Sequence, residues 1–305
     1  MKKYIILTIV SLVVARYASA QQDPMFSQYW VNPQILSPTF AGADGRTLLN
    51  ATSRLQWINV KGAPKTHSLA IGGKVSESVG LGLSYVYDEV GISRTNTVNV
   101  DFAYHLNLGN DWKLITGIRM IGLINNINFS DINTTTPSDP MFMQNLSSGV
   151  KPNAGFGFLL AKKKFYIGYS EPRVVNYDFG SSKSQFNTHI ISHRFAYAGI
   201  NINVNDNYKI RPSVLVKSVA NAPVQFDFNI ANEFNNKLVL GLSARTGEGV
   251  GAMLGITNYH KLDIYYCYDY PLNVIQLLSK QTHQITVALN LSKKPQRINS
   301  PRYFN

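Results

Sequence analysis

The sequence has little cysteine, little charge and few long hydrophobic runs. One cysteine in 305 residues excludes a disulfide framework and a cysteine-based zinc site. Asp, Glu, Lys and Arg make up 15% of the residues, against roughly 25% in an average globular protein. The mean hydropathy of -0.08 is too low for a bundle of transmembrane helices, each of which needs about 20 consecutive apolar residues. Tyrosine (17), phenylalanine (15) and glycine (22) are plentiful instead, which favours a β-rich chain.

Residues 1–20 have the pattern of a secretory signal peptide. Two lysines precede an apolar run over residues 4–15, and Ala-Ser-Ala at residues 18–20 fits the cleavage site. The mature chain is then expected to begin at Gln21. The alternative is a transmembrane anchor, but Arg16 interrupts the apolar run. A net charge of +12 can indicate nucleic-acid binding, but an exported chain does not meet nucleic acid, and we expect no such partner.

The rest of the chain alternates between apolar and polar residues. Over residues 98–108, Val, Val, Phe, Tyr, Leu and Leu alternate with Asn, Asp, Ala, His and Asn. This period of two is typical of a β-strand with two different faces. No amphipathic helix of normal length competes with it. Fourteen such segments are predicted: 46–60, 65–76, 78–92, 94–108, 111–128, 151–161, 163–172, 189–204, 207–218, 224–234, 236–246, 250–259, 260–270 and 281–292.

The connections between these segments alternate in length. Every second connection is a tight turn of Asn, Asp, Gly, Ser or Lys, such as Asn235-Asn236. The intervening connections tend to be longer, above all residues 129–150 and 173–188. Short turns at one end and long loops at the other are typical of outer-membrane barrels. An even number of strands places both chain ends on the periplasmic side.

Alternation alone does not separate a membrane barrel from a soluble β-sandwich, but the charges do. A Lys or Arg facing lipid at the midplane costs about 2–4 kcal/mol. One face of the predicted strands is almost uniformly apolar. The charged residues all fall on the opposite, polar face: Arg54, Lys74, Asp101, Arg119, Lys209, Arg211, Asp227, Arg245, Lys261, Asp263 and Asp269. Residues 46–292 therefore predict an all-β protein, a transmembrane antiparallel β-barrel of about 14 strands in contact with outer-membrane lipid. The soluble sandwich is the alternative.

Motifs at both ends of the mature chain resemble one family. Residues 22–30 read QDPMFSQYW, and the pairs Asn-Pro, Ser-Pro and Ala-Gly follow at residues 32, 37 and 41. Further along stand RxQW at residues 54–57 and SPRYF at residues 300–304. Together these motifs resemble the PorP/SprF family of type IX secretion system outer-membrane proteins. Residues 271–280 are more apolar than that resemblance leads us to expect.

The resemblance implies a role in protein export and surface display. Its implied partners are the C-terminal domain of a large secreted adhesin and other type IX secretion or gliding proteins. The protein would then support secretion of the adhesin or anchor it at the cell surface. A diffusion pore or transporter of small solutes is the alternative.

Two segments flank the predicted barrel. Residues 21–45 contain four aromatic residues that are costly to leave in water: Phe26, Tyr29, Trp30 and Phe40. This N-terminal periplasmic or plug segment either fills the lumen or packs as an extended leader on the barrel mouth. Residues 293–305 form a basic periplasmic tail that either contacts periplasmic proteins or is solvated.

The long loops are expected to face the exterior and to bind partners. Exposed apolar clusters often mark interfaces, and the loops contain five apolar candidates: Met141, Phe142, Met143, Leu277 and Leu278. Ordinary collapse of the loops is the alternative.

Catalysis finds little support in the sequence. His189 and His193 share one predicted strand face, but no serine and carboxylate pattern accompanies them. We therefore predict no enzyme and no catalytic, cofactor or metal site. Inside the barrel, rows of opposite charge on neighbouring strands, such as Asp263 and Lys261 with Arg245, are expected to pair and fill the interior. Ion selectivity is the alternative. The Gly-x-Gly runs, such as residues 80–82, are expected to bend strands or admit bulky neighbours.

Overall fold

A computed structural model describes residues 25–129, 145–179 and 188–292. The regular structure in these ranges is almost entirely β. Its strands are β1 (Leu48–Leu55), β2 (Lys65–Lys74), β3 (Val79–Val90), β4 (Ser93–Gly109), β5 (Trp112–Ile127), β6 (Leu146–Ser147), β7 (Lys151–Lys162), β8 (Phe165–Glu171), β9 (Tyr177–Phe179), β10 (Thr188–Ile190), β11 (His193–Ile200), β12 (Ile202–Asn205), β13 (Tyr208–Val219), β14 (Gln225–Phe234), β15 (Leu238–Arg245), β16 (Gly249–Tyr259), β17 (Leu262–Pro271) and β18 (Thr282–Asn290). No helix in the described ranges has the length and apolar character needed to cross a membrane.

The strands close into a single antiparallel barrel. Each wall strand pairs with its neighbour in sequence, and β1 pairs with both β2 and β18. Strands β11 and β12 both pair with β13 and occupy one position of the wall. Short β6 extends the pairing of β5, and β9 pairs with β10 in a separate two-stranded sheet. The wall therefore has fourteen positions, which confirms the predicted barrel and its strand number.

Side chains of the wall strands alternate between the outer and the inner face as the sequence predicts. In β4, Phe102 and Tyr104 are 41% and 45% exposed on the outer face, whereas Ala103 between them is fully buried. The charged residues Arg54, Asp101 and Arg119 are buried on the inner face. An apolar exterior around a polar interior is stable in hydrocarbon, because closure also pairs every strand edge.

Tight turns with positive φ angles connect the strands at one end of the barrel. Asn110 and Asp111 have φ values of 49° and 67°, and Asn235 and Asn236 have 52° and 53°. Two consecutive positive φ angles match the right-handed twist of the flanking strands. We call this the turn end and the opposite one the loop end. Since short turns of outer-membrane barrels face the periplasm, we assign the loop end to the cell exterior.

Two predicted segments differ from the observed strands. The first predicted segment runs to residue 60, but β1 ends at Leu55, because Trp57 and Asn59 adopt positive φ values of 48° and 74°. The predicted segment 189–204 is divided among β10, β11 and β12.

The predicted pairing of Lys261 and Asp263 with Arg245 is wrong. Lys261 is exposed in the turn before β17, at the turn end, whereas Arg245 closes β15 at the loop end. Arg245 pairs there with Asp227 at 2.6 Å and with Glu248 at 2.8 Å. Sequence alternation identifies the face of a charged residue but not its height along the barrel.

Candidate functional site

Residues 25–45, which we call the leader, pack against the inner face of the barrel wall. Two short 3-10 turns, Pro33–Ile35 and Pro38–Phe40, shape the segment. Each has proline near its start, where the missing N–H costs nothing. Ser37 caps the second turn by accepting a hydrogen bond from the Thr39 N–H at 3.4 Å.

At the loop end, the start of the leader is held by buried polar groups. The Ser27 N–H donates to Gln284 Oε1 at 2.8 Å, and Ser27 Oγ donates to Asp269 Oδ2 at 2.7 Å. Arg54 Nη1 contacts Ser27 Oγ and lies 2.6 Å from Asp269 Oδ2. Arg245 Nη2 donates to the Phe26 carbonyl at 2.8 Å.

Near the middle of the leader, a buried ion pair of the wall forms hydrogen bonds with it. Arg119 Nε and Nη2 donate to the two carboxylate oxygens of Asp101 at 2.6 and 2.9 Å. The same guanidinium donates to the carbonyls of Gln34 and Ile35, the latter at 2.9 Å. Gln34 Nε2 in turn donates to Asp101 at 3.2 Å. The pair is therefore satisfied partly by the wall and partly by the leader.

The leader ends at the turn end of the barrel. The carbonyl of Ala41 lies 3.1 Å from His105 Nε2, near the turn-end terminus of β4. Asp44 and Arg46 form an ion pair at 2.7 Å just before β1 begins. The contacts with the wall thus extend from one end of the barrel to the other, with Met25 at the loop end.

The aromatic residues predicted for this segment are inside. Phe26, Tyr29 and Trp30 are 5–7% exposed. The Trp30 ring meets the edge of Tyr265, with centroids 6.1 Å apart. Phe40 is partly buried and packs against Tyr197 at 5.4 Å. Closure of the lumen to solutes stays a prediction.

Glycines of the wall leave room for the leader. A Cβ on Gly80 would lie 1.9 Å from the Ala41 carbonyl oxygen, and one on Gly82 would lie 2.3 Å from Gln34 Nε2. The prediction that this Gly-x-Gly run admits a bulky neighbour is confirmed. The neighbour is the leader itself.

Gly80→Ala is expected to destabilise the barrel by about 1–3 kcal/mol, the usual range for overpacking. The new methyl would collide with leader backbone, which cannot rotate away as a side-chain tip can. The measurement is the free energy of unfolding in lipid bilayers. Gly122→Ala is the matched control, since its Cβ would meet nothing closer than 3.9 Å. Equal stability of the two variants would contradict the expectation.

The loop between β17 and β18 presents apolar side chains at the loop end. Leu277 and Leu278 are 83% and 69% exposed, and both follow the start of a 3-10 turn, Val274–Leu277. Asn273 caps this turn by accepting from the Ile275 N–H at 3.1 Å. The predicted candidates Met141, Phe142 and Met143 lie outside the described residues.

The same loop is tied to its neighbours at both ends. The Leu272 N–H donates to the Glu248 carbonyl at 2.8 Å, and Asn273 Nδ2 donates to the Gly247 carbonyl at 3.0 Å. Ser279 Oγ donates to the Ile58 carbonyl at 2.9 Å. The exposed leucines therefore stand on an ordered backbone and have not collapsed onto the barrel.

A cavity of about 690 Å³ opens at the loop end, and we call it the vestibule. Its lining residues include Met25 of the leader, Ile275 of the loop between β17 and β18, and Trp57. Glu248 also lines it. Burial alone would raise the pKa of Glu248, but the Arg245 guanidinium beside it lowers that pKa below its ordinary value, so the carboxylate is ionised.

The described residues offer little for catalysis. No three His, Cys, Asp or Glu side chains among them are grouped so as to hold a metal ion. His193 is buried, its ring stacks on Phe195, and its Nδ1 lies 3.0 Å from the Ile191 carbonyl. Cys267 is buried on the inner face.

Sequence reasoning missed the polar groups that hold the leader. Asp101 and Arg119 were assigned to the inner face, but their joint contact with Gln34 and Ile35 was not anticipated. The positions of Ser27 and Gln34 in the sequence follow no pattern that indicates a contact with the barrel wall. Excess charge on the inner face was the one available hint, because buried charges require partners.

A closed antiparallel barrel with an apolar exterior and a polar interior is an integral outer-membrane protein. The family model described as type IX secretion system membrane protein PorP/SprF matches residues 18–289. The chain belongs to this family and is an outer-membrane component of the type IX secretion system.

Several solved outer-membrane structures are similar to this chain. Omp33 of Acinetobacter baumannii is 9% identical with a TM-score of 0.46, over 80% of this chain and 97% of that one. The CymD monoaromatic hydrocarbon channel is 10% identical with a TM-score of 0.46, over 87% and 93%. The NanC porin is 12% identical with a TM-score of 0.40, over 80% and 100%. No curated protein matches the chain.

Proposed function

We propose that the protein supports secretion or surface anchoring of a large adhesin by binding the adhesin's C-terminal domain at the loop end. One observation carries the proposal: Leu277 and Leu278 are held exposed on an ordered turn, beside a vestibule at the end assigned to the exterior. Exposed apolar side chains of this kind mark interaction surfaces.

The energetics favour a protein partner for this surface. Burying a leucine side chain contributes about 2 kcal/mol. An ordered backbone also avoids the entropy cost of arranging the loop on binding, and the hydrogen bonds of Leu272, Asn273 and Ser279 supply that order. The loop is therefore suited to hold a partner without refolding.

The leader weighs against the diffusion pore as the function. A diffusion pore needs a continuous aqueous path, and the leader occupies the inner face from Ser27 near the loop end to Ala41 near the turn end. Occupation of the interior by this segment agrees with a binding role and with partner proteins drawn from the same secretion system. The basic tail, residues 293–305, lies outside the described residues, and its contact with periplasmic proteins stays a prediction. The predicted signal peptide, residues 1–20, also lies outside them and stays a prediction.

Replacing both leucines, Leu277→Ser with Leu278→Ser, is expected to release the adhesin into the medium. Loss of two apolar contacts of about 2 kcal/mol each weakens binding at least tenfold, because 1.4 kcal/mol corresponds to a factor of ten. The measurement is the ratio of cell-bound to released adhesin.

Val75→Ser is the matched control. Val75 is an exposed apolar residue, at 62%, but it lies in a turn at the opposite end of the barrel. Retention should be unchanged in this variant. Unchanged retention in the double-leucine variant, with normal amounts of folded barrel in the membrane, would rule out this surface.

A further inference from the structure

We propose that the vestibule binds an uncharged, mostly apolar segment of the exported polypeptide, with the leader as the floor of the site. The inference rests on the proposed function and specifies where the partner enters. It extends the docking surface from the exposed leucines into the barrel mouth.

The size and walls of the vestibule suit a short stretch of polypeptide. Its volume of about 690 Å³ falls in the range of roughly 300–1,000 Å³ that is typical of ligand sites. Apolar side chains from strand ends and separate loops contribute to the walls, among them Trp57, Val219, Pro223 and Ile275. An apolar segment that enters would exchange water for these contacts.

The charges in the lining are balanced, which selects an uncharged occupant. The cations are Arg54, Lys217 and Arg245, and the anions are Asp88, Glu248 and Asp269. Arg54 lies 2.6 Å from Asp269, and Arg245 lies 2.8 Å from Glu248. Asp88 accepts a hydrogen bond from Thr66 Oγ1 at 2.6 Å. A charged segment would lose its hydration at a site where most of the lining charges already have partners, which is costly when the site is partly buried.

One unused acceptor favours a peptide over a hydrocarbon. Gln225 lines the vestibule and donates Nε2 to Glu248 at 2.8 Å. Its Oε1 is buried and accepts no hydrogen bond from the described residues. A buried acceptor without a donor is unfavourable, and rotation of the Gln225 side chain toward the vestibule would present this oxygen to a backbone N–H of an entering segment.

The vestibule and the exposed loop form one surface. Asn273 and Ile275 line the cavity, and Leu277 and Leu278 follow them on the same turn. A small solute inside the cavity would leave both leucines in water. A polypeptide that inserts one segment can cover them with the residues alongside, and we therefore commit to a polypeptide.

The floor of the site belongs to the leader. Met25 lines the cavity, and the adjacent residues Phe26 and Ser27 are held by Arg245, Arg54 and Asp269, which are lining residues themselves. An entering segment therefore touches the same groups that fasten the start of the leader. The binding site and the leader share one set of ion pairs.

The test fills the vestibule from the wall without changing the exposed loop. Ser243 lines the cavity, while the next residue, Ala244, is exposed on the outer face. Ser243→Phe is the test variant and Ala244→Phe its matched control. Ala222→Trp fills the cavity from a different loop and covers the case in which Ser243→Phe does not assemble.

Deletion of this chain first identifies the surface protein that is released into the medium. The probe is a fluorescent protein fused to the C-terminal domain of that surface protein. Cell-bound fluorescence is measured in cells with equal amounts of folded barrel. We expect retention to fall at least about tenfold in Ser243→Phe and in Ala222→Trp, because a tenfold decrease corresponds to the loss of a single buried contact. Retention in Ala244→Phe should be normal.

The outcomes separate this inference from the proposed function. Normal retention in both filled variants, together with release by Leu277→Ser with Leu278→Ser, would overturn the vestibule site and leave the exposed loop as the docking surface. If no surface protein is released when the whole chain is deleted, the proposed function fails, and this inference fails with it.

Discussion

Deletion of residues 25–40 is expected to convert a closed barrel into a conducting channel. The deletion removes the aromatic side chains of Phe26, Tyr29 and Trp30 from the interior, where each is at most 7% exposed. It also removes the leader groups bonded to Asp269 and Arg119. A 14-stranded wall remains, with polar inner residues that water can solvate. The measurement is single-channel current in planar bilayers.

Two comparisons make the result specific to the leader. The intact barrel, purified in the same way, should remain silent. A synthetic peptide of residues 25–40, added to the side facing the loop end, should lower the conductance of the deletion variant. A deletion variant that inserts and stays silent would show that the wall closes without the leader. Steady conductance by the intact barrel would instead favour the diffusion pore.

Asp101→Ala is expected to cost about 3–5 kcal/mol of stability, the usual penalty for breaking a buried ion pair. Asp101 is fully buried and Arg119 is 3% exposed. Without the carboxylate, the guanidinium keeps the carbonyls of Gln34 and Ile35 as its partners among the described residues. The measurement is the free energy of unfolding by denaturant in lipid bilayers.

An exposed ion pair supplies the control for this effect. Lys65 and Glu89 lie 3.3 Å apart, and the lysine side chain is 55% exposed. Lys65→Ala should cost at most about 1 kcal/mol, because water screens exposed pairs. Asp101→Leu combined with Arg119→Met should recover part of the loss, since no buried charge is left unpaired. Equal effects of Asp101→Ala and Lys65→Ala would contradict a structural role for the buried pair.

The wall of the barrel was predictable from the sequence. Alternation over residues 98–108 placed Phe102 and Tyr104 outside and Asp101 inside, as the structure has them. The pair Asn235-Asn236 marked a turn correctly. These features are local: strand geometry sends neighbouring side chains to opposite faces, and every wall strand meets the same two environments, lipid and interior.

The interior depended on contacts between residues far apart in the chain. Ser27 and Asp269 are 242 positions apart, and Gln34 and Asp101 are 67 apart. Alternation carries no information on the height of a residue along the barrel, which is why the partner of Arg245 was predicted wrongly. The path of residues 25–45 has no period to reveal it either. Closure of the wall creates the space that this segment occupies, and only the closed barrel brings Arg54, Arg119 and Gly80 to the heights at which they meet it.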